Sequence, residues 1–261
     1  MRKTSEPRWF VSRSSGGPTR LRLLCLPYAG GSASVFKGWE HHLPAGVEVM
    51  AVQLPGRAER WREEPLTDLE AIADTLCELF QVHVDEPFAV FGHSMGALIA
   101  LVLARKLSRK HGREPVRLFF ASCNAPLPER PLPALGRLDD AGLRAQLSAL
   151  GLPDEVLADE ELMEITLPLV RADLHVADAY LDRAPELLDC PVTAFHGADD
   201  PLVSGQDMGQ WARTTRGPFT LRSVPGAHVF DRSGWSHVLK TINTDLESHM
   251  RPAAAQEQPR P

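Results

Sequence analysis

Six short apolar runs recur along the chain, LRLLCL (21–26), EVMAVQL (48–54), PFAVFG (87–92), VRLFFAS (116–122), PVTAFHG (191–197) and FTLRSV (219–224). Between them lie stretches whose apolar residues repeat at helical spacing. In one of these, Leu69, Ile72, Ala73, Leu76, Leu79 and Phe80 share a helical face, and Thr67 with Glu70 supplies a capping box. Alternation of this kind leaves few solutions. Strands that are apolar on both faces, each followed by a helix, build a mostly parallel twisted sheet with helices on both faces, an α/β fold.

The rhythm breaks once. From Asn124 to about Asp189 no convincing strand appears; a Pro-rich stretch, APLPERPLPALG, leads instead to helical patterns near 139–150 and 160–181. So long an interval between consecutive strands is more often a functional cap than a plain connection. The expected organisation is therefore a core formed by 19–123 and 190–249, a helical lid insertion at 124–189, and flexible ends at 1–18 and 250–261.

Composition bounds the function. The 261 residues carry a formal net charge of −6, and they lack the basic balance expected of a nucleic-acid binder. No apolar stretch approaches the roughly 18 residues of a membrane span, and the N-terminal region lacks the apolar run of a signal peptide, which points to the cytoplasm. Cys25, Cys77, Cys123 and Cys190 are far apart and without Cys-x-x-Cys spacing, so buried free thiols are expected rather than disulfides or metal ligands.

The stretch FGHSMGALIALVLARK (91–106) carries the chemistry. It places Ser94 between two glycines, at the junction of a strand and a helix that is apolar on nearly every side. A small residue there can serve a tight turn, a helix cap or a nucleophile elbow, and the strand-to-helix context is the one an elbow requires. Gly92 and Gly96 suit it because a side chain at either would collide around so sharp a turn. The helix start behind Ser94 offers unpaired N–H groups and the positive end of a dipole.

A serine hydroxyl needs a base, and the order Ser, Asp or Glu, His tells where to search. The strand PVTAF runs into HGADDPLV, which sets Asp199 and Asp200 at the C-terminal edge of the sheet. Asp200 is preferred, because a residue before proline is held extended. Of the histidines that follow, His228, His237 and His249, the last is near the tail and His237 lies inside the final amphipathic helix. His228 follows a strand through a short loop at the same edge and is the candidate base. The oxyanion donors expected are the backbone N–H groups of Met95 and, in the loop LPYAGGSAS, of Ala29.

These residues resemble the type II thioesterases that work in trans with polyketide synthases and nonribosomal peptide synthetases. LPYAGGSASVFKGW, VQLPGRAERWREEP, FGHSMGALIA, LPLVRADLHVADAY and HGADDPLV are each similar to that family's motifs, in its order, over roughly residues 20–245. Where such enzymes usually carry Gly-Gly-His-Phe-Phe, this chain has GAHVF. The resemblance implies an α/β-hydrolase fold with a helical lid, no metal and no cofactor of its own. It also implies a substrate in which an aberrant acyl group hangs by a thioester on the phosphopantetheine arm of an acyl or peptidyl carrier protein. A general carboxylesterase, a cofactor-free haloperoxidase and a lidded small-molecule receptor with a residual triad are the rival readings.

Two basic clusters bear on the partner. Arg57, Arg60 and Arg62 follow an early strand and so lie near the presumed mouth; they can meet a phosphate or an acidic carrier protein, or form local ion pairs in a solvated loop. Arg105, Lys106, Arg109 and Lys110 end the helix that starts after Ser94, about 20 Å away at about 1.5 Å per residue, and there they complement its dipole. Leu162, Ile165, Leu169, Leu174 and Val176, within the lid-like segment, are expected to be mainly core, with an acyl chamber lined by some of them as the alternative. Arg171 and Asp173 match a family motif without an assigned role.

Overall fold

A computed structural model describes residues 9–14, 16–83, 86–127, 134–152, 154–178, 180 and 186–250. The expectations for 1–8, for 251–261 and for the Pro-rich stretch at 128–133 lie outside the described residues. Among those described, the strands are β1 (Phe10–Ser14), β2 (Leu21–Leu26), β3 (Val47–Val52), β4 (Phe88–His93), β5 (Arg117–Ala121), β6 (Val192–Gly197) and β7 (Phe219–Val224). The helices are α1 (Leu69–Phe80), α2 (Met95–His111), α3 (Asp140–Ala149), α4 (Asp154–Leu157), α5 (Glu160–Asp178), α6 (Gly205–Gly209) and α7 (Arg232–Met250).

The strands form one sheet in the order β1-β3-β2-β4-β5-β6-β7. All neighbours are parallel except β1, which pairs antiparallel with β3 from Phe10 opposite Val52 to Ser14 opposite Glu48. After β2 the chain places β3 on one side, then crosses to place β4 on the other. The direction of winding therefore reverses at β2, and the crevice beyond the C-terminal ends of β2 and β4 is where such a sheet can hold a ligand.

Side chains alternate across the sheet, as strand geometry demands. Leu24, Leu26, Met50 and Val52 face a core closed by α1 and α2, whereas Leu23, Cys25, Val49 and Ala51 face a second core closed by α7 and by Phe36 and Trp39 of two short 3-10 turns. α2 is buried without a break from Met95 to Leu107, which explains why its sequence is apolar all round. Its basic end is held locally, with Lys106 Nζ at 2.8 Å from Glu70 and 2.9 Å from Asp74 of α1. Gly112 then stops the helix in the left-handed region (φ 62°).

Local details depart from the sequence reading. β1 occupies part of the stretch expected to be a flexible end; its five residues alternate too weakly to signal a strand and are ordered by pairing with β3. α1 is capped by Asp68, whose carboxylate accepts from the N–H groups of Glu70 and Ala71, and not by the Thr67–Glu70 box. Leu79 falls outside the buried face of α1, where Cys77 is buried instead.

Between β5 and β6 lie the helices α3, α4 and α5, which share a small core of Leu143, Met163, Leu167 and Val170. The buried face of α5 is the expected one only in its second half: Val176 is buried and Leu174 packs against the small core, but Leu162 and Ile165 are exposed, because Met163, Leu167 and Val170 keep the i, i+4, i+7 spacing toward that core. No helix is long and apolar enough to cross a membrane among the described residues.

Candidate active site

Ser94 is the single residue between β4 and α2, and its backbone (φ 53°, ψ −120°) lies in a region that an L-residue enters at a cost of about 1–3 kcal/mol. The neighbours make this turn possible. A Cβ on Gly92 would sit 2.3 Å from the carbonyl oxygen of Gly96, and one on Gly96 would sit 2.4 Å from that of Leu26. The Ser94 N–H is satisfied by the Ala121 carbonyl at 2.8 Å. Its hydroxyl makes no capping bond to α2, which removes the cap reading.

That hydroxyl instead meets His228, whose Nε2 lies 3.0 Å from Ser94 Oγ. His228 Nδ1 is 2.9 Å from Asp200 Oδ2. The three residues arrive from β4, from the loop after β6 and from the loop after β7, all at the C-terminal edge of the sheet. Asp200 holds its orientation by accepting through Oδ1 from the N–H groups of Leu202 (2.9 Å) and Val203 (3.2 Å). Burial works to raise the Asp200 pKa, but the bonds from His228 and these two amides outweigh it and hold the carboxyl below its ordinary value. Asp199 is exposed on the same turn. His237 is exposed and bonded through Nδ1 to the Ser233 carbonyl one turn back.

His93, the residue before the serine, was given no role by the sequence. It is fully buried, and its ring packs against Tyr28, His228, Phe230 and Trp235. Nε2 donates to the backbone carbonyl of His228 at 2.8 Å; because a carbonyl can only accept, this fixes the Nε2–H tautomer. Burial, and the nearby His228, push its pKa down to about 3, so the ring stays neutral. Its neutral N–H ties the loop carrying His228 to the end of β4.

Ser94 opens into a cavity of about 370 Å³. Tyr28, Ala29, Gly30, Gly31, Met95 and His228 line the end beside the serine, and Leu143, Leu147, Leu150, Leu152, Val170 and Leu174 of the helical segment line the rest. Both expected oxyanion donors, Ala29 and Met95, thus border the same space as the hydroxyl. Burial raises the thiol pKa of Cys123, which also borders the cavity, and it pushes Cys190 up to about 12. All four cysteines are free and buried. Among the described residues no group of three or more His, Cys, Asp or Glu is placed to hold a metal ion.

The first arginine cluster follows the ion-pair alternative at two positions, but in a buried and not a solvated setting. Arg57 is 4% exposed and pairs in two-pronged fashion with Asp173 of α5, Nη1 to Oδ2 at 2.6 Å and Nη2 to Oδ1 at 2.8 Å. Arg60 is 6% exposed, bonds to Glu63 and to the Gln53 carbonyl, and lies over the Trp9 ring. A side chain so enclosed cannot greet a partner. Arg62, beside exposed Trp61, remains at the surface with its guanidinium 4.7 Å from the indole centroid. Arg171 bonds to the carbonyls of Gly136 and Leu138 and to Asp140, and so fastens α5 to the turn before α3.

A model of the Thioesterase domain family matches residues 21–246. This chain belongs to that family. The thioesterase is 41% identical over 224 residues to the gramicidin S biosynthesis protein GrsT of Aneurinibacillus migulanus, covering 85% of this chain and 88% of that one. It is 37% identical over 235 residues to thioesterase PikA5 of Streptomyces venezuelae, covering 87% and 81%. Among solved structures it superposes on the type II thioesterase BorB from the borrelidin biosynthetic cluster with a TM-score of 0.80 at 34% identity, over 95% of this chain and all of that one. The thioesterase therefore has an α/β-hydrolase fold and is a hydrolase acting on thioesters.

Proposed function

We propose that this enzyme is a type II thioesterase that clears aberrant acyl groups from the phosphopantetheine arm of acyl or peptidyl carrier proteins in a polyketide or nonribosomal peptide assembly line. The observation that carries the chemical part is the chain of contacts from Asp200 through His228 to Ser94, open to a cavity walled by leucines. The assignment to assembly lines is supported by the relatives named above.

His228 Nε2 takes the proton of Ser94 as Oγ bonds to the thioester carbonyl carbon, while Asp200 holds Nδ1–H and stabilises the imidazolium. The carbonyl oxygen turns toward the backbone N–H groups of Met95 and Ala29. Collapse breaks the C–S bond, the His228 proton goes to the departing sulfur, and an acyl-serine remains. A thiol with a pKa near about 8.5 leaves readily. Water, deprotonated by His228, then attacks the acyl-serine; as the C–O bond to Ser94 breaks, the same proton passes from His228 Nε2 to Oγ, which releases the acid and restores the serine. The chemistry draws on these side chains and backbone groups alone, since the phosphopantetheine arm arrives with the substrate.

The helical segment within 124–189 acts as the lid over the acyl chamber, and Arg62 with Trp61 is the part of the arginine cluster left to meet the carrier protein. The setting is cytoplasmic, beside the synthase. The test is a carrier protein loaded with acetyl, propionyl or malonyl-type groups, followed by intact-protein mass spectrometry. Wild-type enzyme should deacylate it catalytically, and Ser94→Ala should lose about 10⁴-fold or more. Equal turnover of oxygen esters with indifference to the carrier protein would sink the editing role.

A further inference from the structure

The loop after β2 carries Ala29, the proposed oxyanion donor, and buried charges grip it just past that residue. Asp173, 1% exposed on α5, accepts the Gly30 N–H through Oδ2 at 2.7 Å with the same carboxylate that Arg57 holds. Arg57 Nη1 also donates to the Gly31 carbonyl at 3.2 Å, and its Nε donates to the Pro55 carbonyl at 3.1 Å. Gln53 Oε1 accepts the Ala33 N–H at 3.1 Å. α5 presses on the same loop, since a Cβ on Gly30 would sit 2.8 Å from Val170 Cγ2.

We infer that Asp173 and Arg57 are positioning residues for the oxyanion loop, so that α5 sets the chemistry at Ser94 as well as roofing the cavity. The Gly30 N–H shares a peptide plane with the Ala29 carbonyl. Fixing that plane by Asp173, and the Gly31 carbonyl by Arg57, limits how the Ala29 N–H can swing. Stability alone is a poor reason for such a pair, because apolar residues of similar volume commonly serve as well. A preorganised donor, in contrast, is worth about 10²–10³ in kcat. The pair also couples two distant stretches, since an α5 that lifted away would take the acceptor of Gly30 with it.

This inference rests on the reading of Ser94 and Ala29 given above, and the experiment separates the two. Labelling by a fluorophosphonate that occurs in the wild-type chain and not in Ser94→Ala tests the nucleophile; its failure in the wild type would remove that reading and this inference with it. Hydrolysis of a small-thiol acyl thioester and inhibition by an alkyl trifluoromethyl ketone then test the positioning role. Per labelled site, Asp173→Asn and Arg57→Gln should lose about 10²-fold in kcat, with KM within about twofold and a parallel loss of ketone affinity. Arg57→Lys should recover part of this, keeping the charge without the two-pronged geometry. If the single variants do not fold, the double variant Arg57→Met with Asp173→Leu keeps the volume but leaves the Gly30 N–H without its acceptor, and it should show the same kinetic loss. Wild-type kcat and ketone affinity in any of these folded variants except Arg57→Lys, or a change confined to melting temperature or KM, would overturn the inference.

Discussion

Ser94 is strained, His228 and Asp200 are enclosed, and His93 is a base kept neutral by its surroundings; the site concentrates conformations and protonation states that a free chain would not choose. His93 gives this a measurable form. Burial pushes its pKa from the ordinary 6.5 down to about 3, so below about pH 6.5 the unfolded chain takes up a proton that the folded chain refuses. Stability should therefore fall as pH drops from about 6.5 toward 3, with a limit of about 1.4 kcal/mol per pH unit from this residue. Asp200 acts in the same direction in a lower window: its carboxyl is held below 3.8 in the fold, so its contribution is fully present above that value and is lost as pH falls from there through the native one. The two windows are separable. Urea midpoints measured from pH 7 to pH 4 should decline for the wild-type protein and decline less for His93→Gln, whose amide can still donate to the His228 carbonyl without titrating. Parallel curves for the two proteins would show that another group governs this limb.

At the scale of elements, the turn from β4 into α2 and the grip of α5 on the loop after β2 are the two joints that matter. The first tolerates no added atom. Gly96→Ala places a methyl group against the carbonyl of Leu26, a backbone atom at the C-terminal end of central strand β2, and should destabilise the fold by about 3 kcal/mol or prevent it. Chemical unfolding measures this directly, and a loss under about 1 kcal/mol would mean the helix can shift away from β2. Part of this joint was legible from the spacing of Gly92, Ser94 and Gly96, because a one-residue connection between a buried strand and a buried helix has few geometries. The second joint was not. Arg57 and Asp173 are separated by 116 positions, and the sequence, which sets Arg57 after a strand near the presumed mouth, leaves open whether it meets a partner or an ion pair in a solvated loop. Only the packing of α5 onto the loop brought the carboxylate that buried it.

Across the whole molecule, the sheet is sealed on one side by a strand the sequence does not advertise. β1 covers the edge of β3, Phe10 meets the ring of Phe80 with centroids 6.1 Å apart, and Trp9 receives Arg60. Removing residues 1–14 should cost about 2–3 kcal/mol, or roughly 5–10 °C in Tm, and should raise the tendency to associate through the bared edge. Calorimetry and sedimentation of the shortened protein test both, and an unchanged Tm would show that β1 adds nothing to the fold.

The sequence by itself determined the layered α/β architecture, the six parallel strands and the residues that meet at the serine, because burial on both faces of a strand and a sharp strand-to-helix turn leave local signatures in residue type and spacing. Tertiary structure alone decided that β1 is a strand, that α5 turns Met163 inward and Ile165 outward, and that Arg57 belongs to Asp173. Each of those outcomes depends on a partner distant in the chain, and the free energy of a buried pair or a covered edge exists only once that partner has been brought beside it.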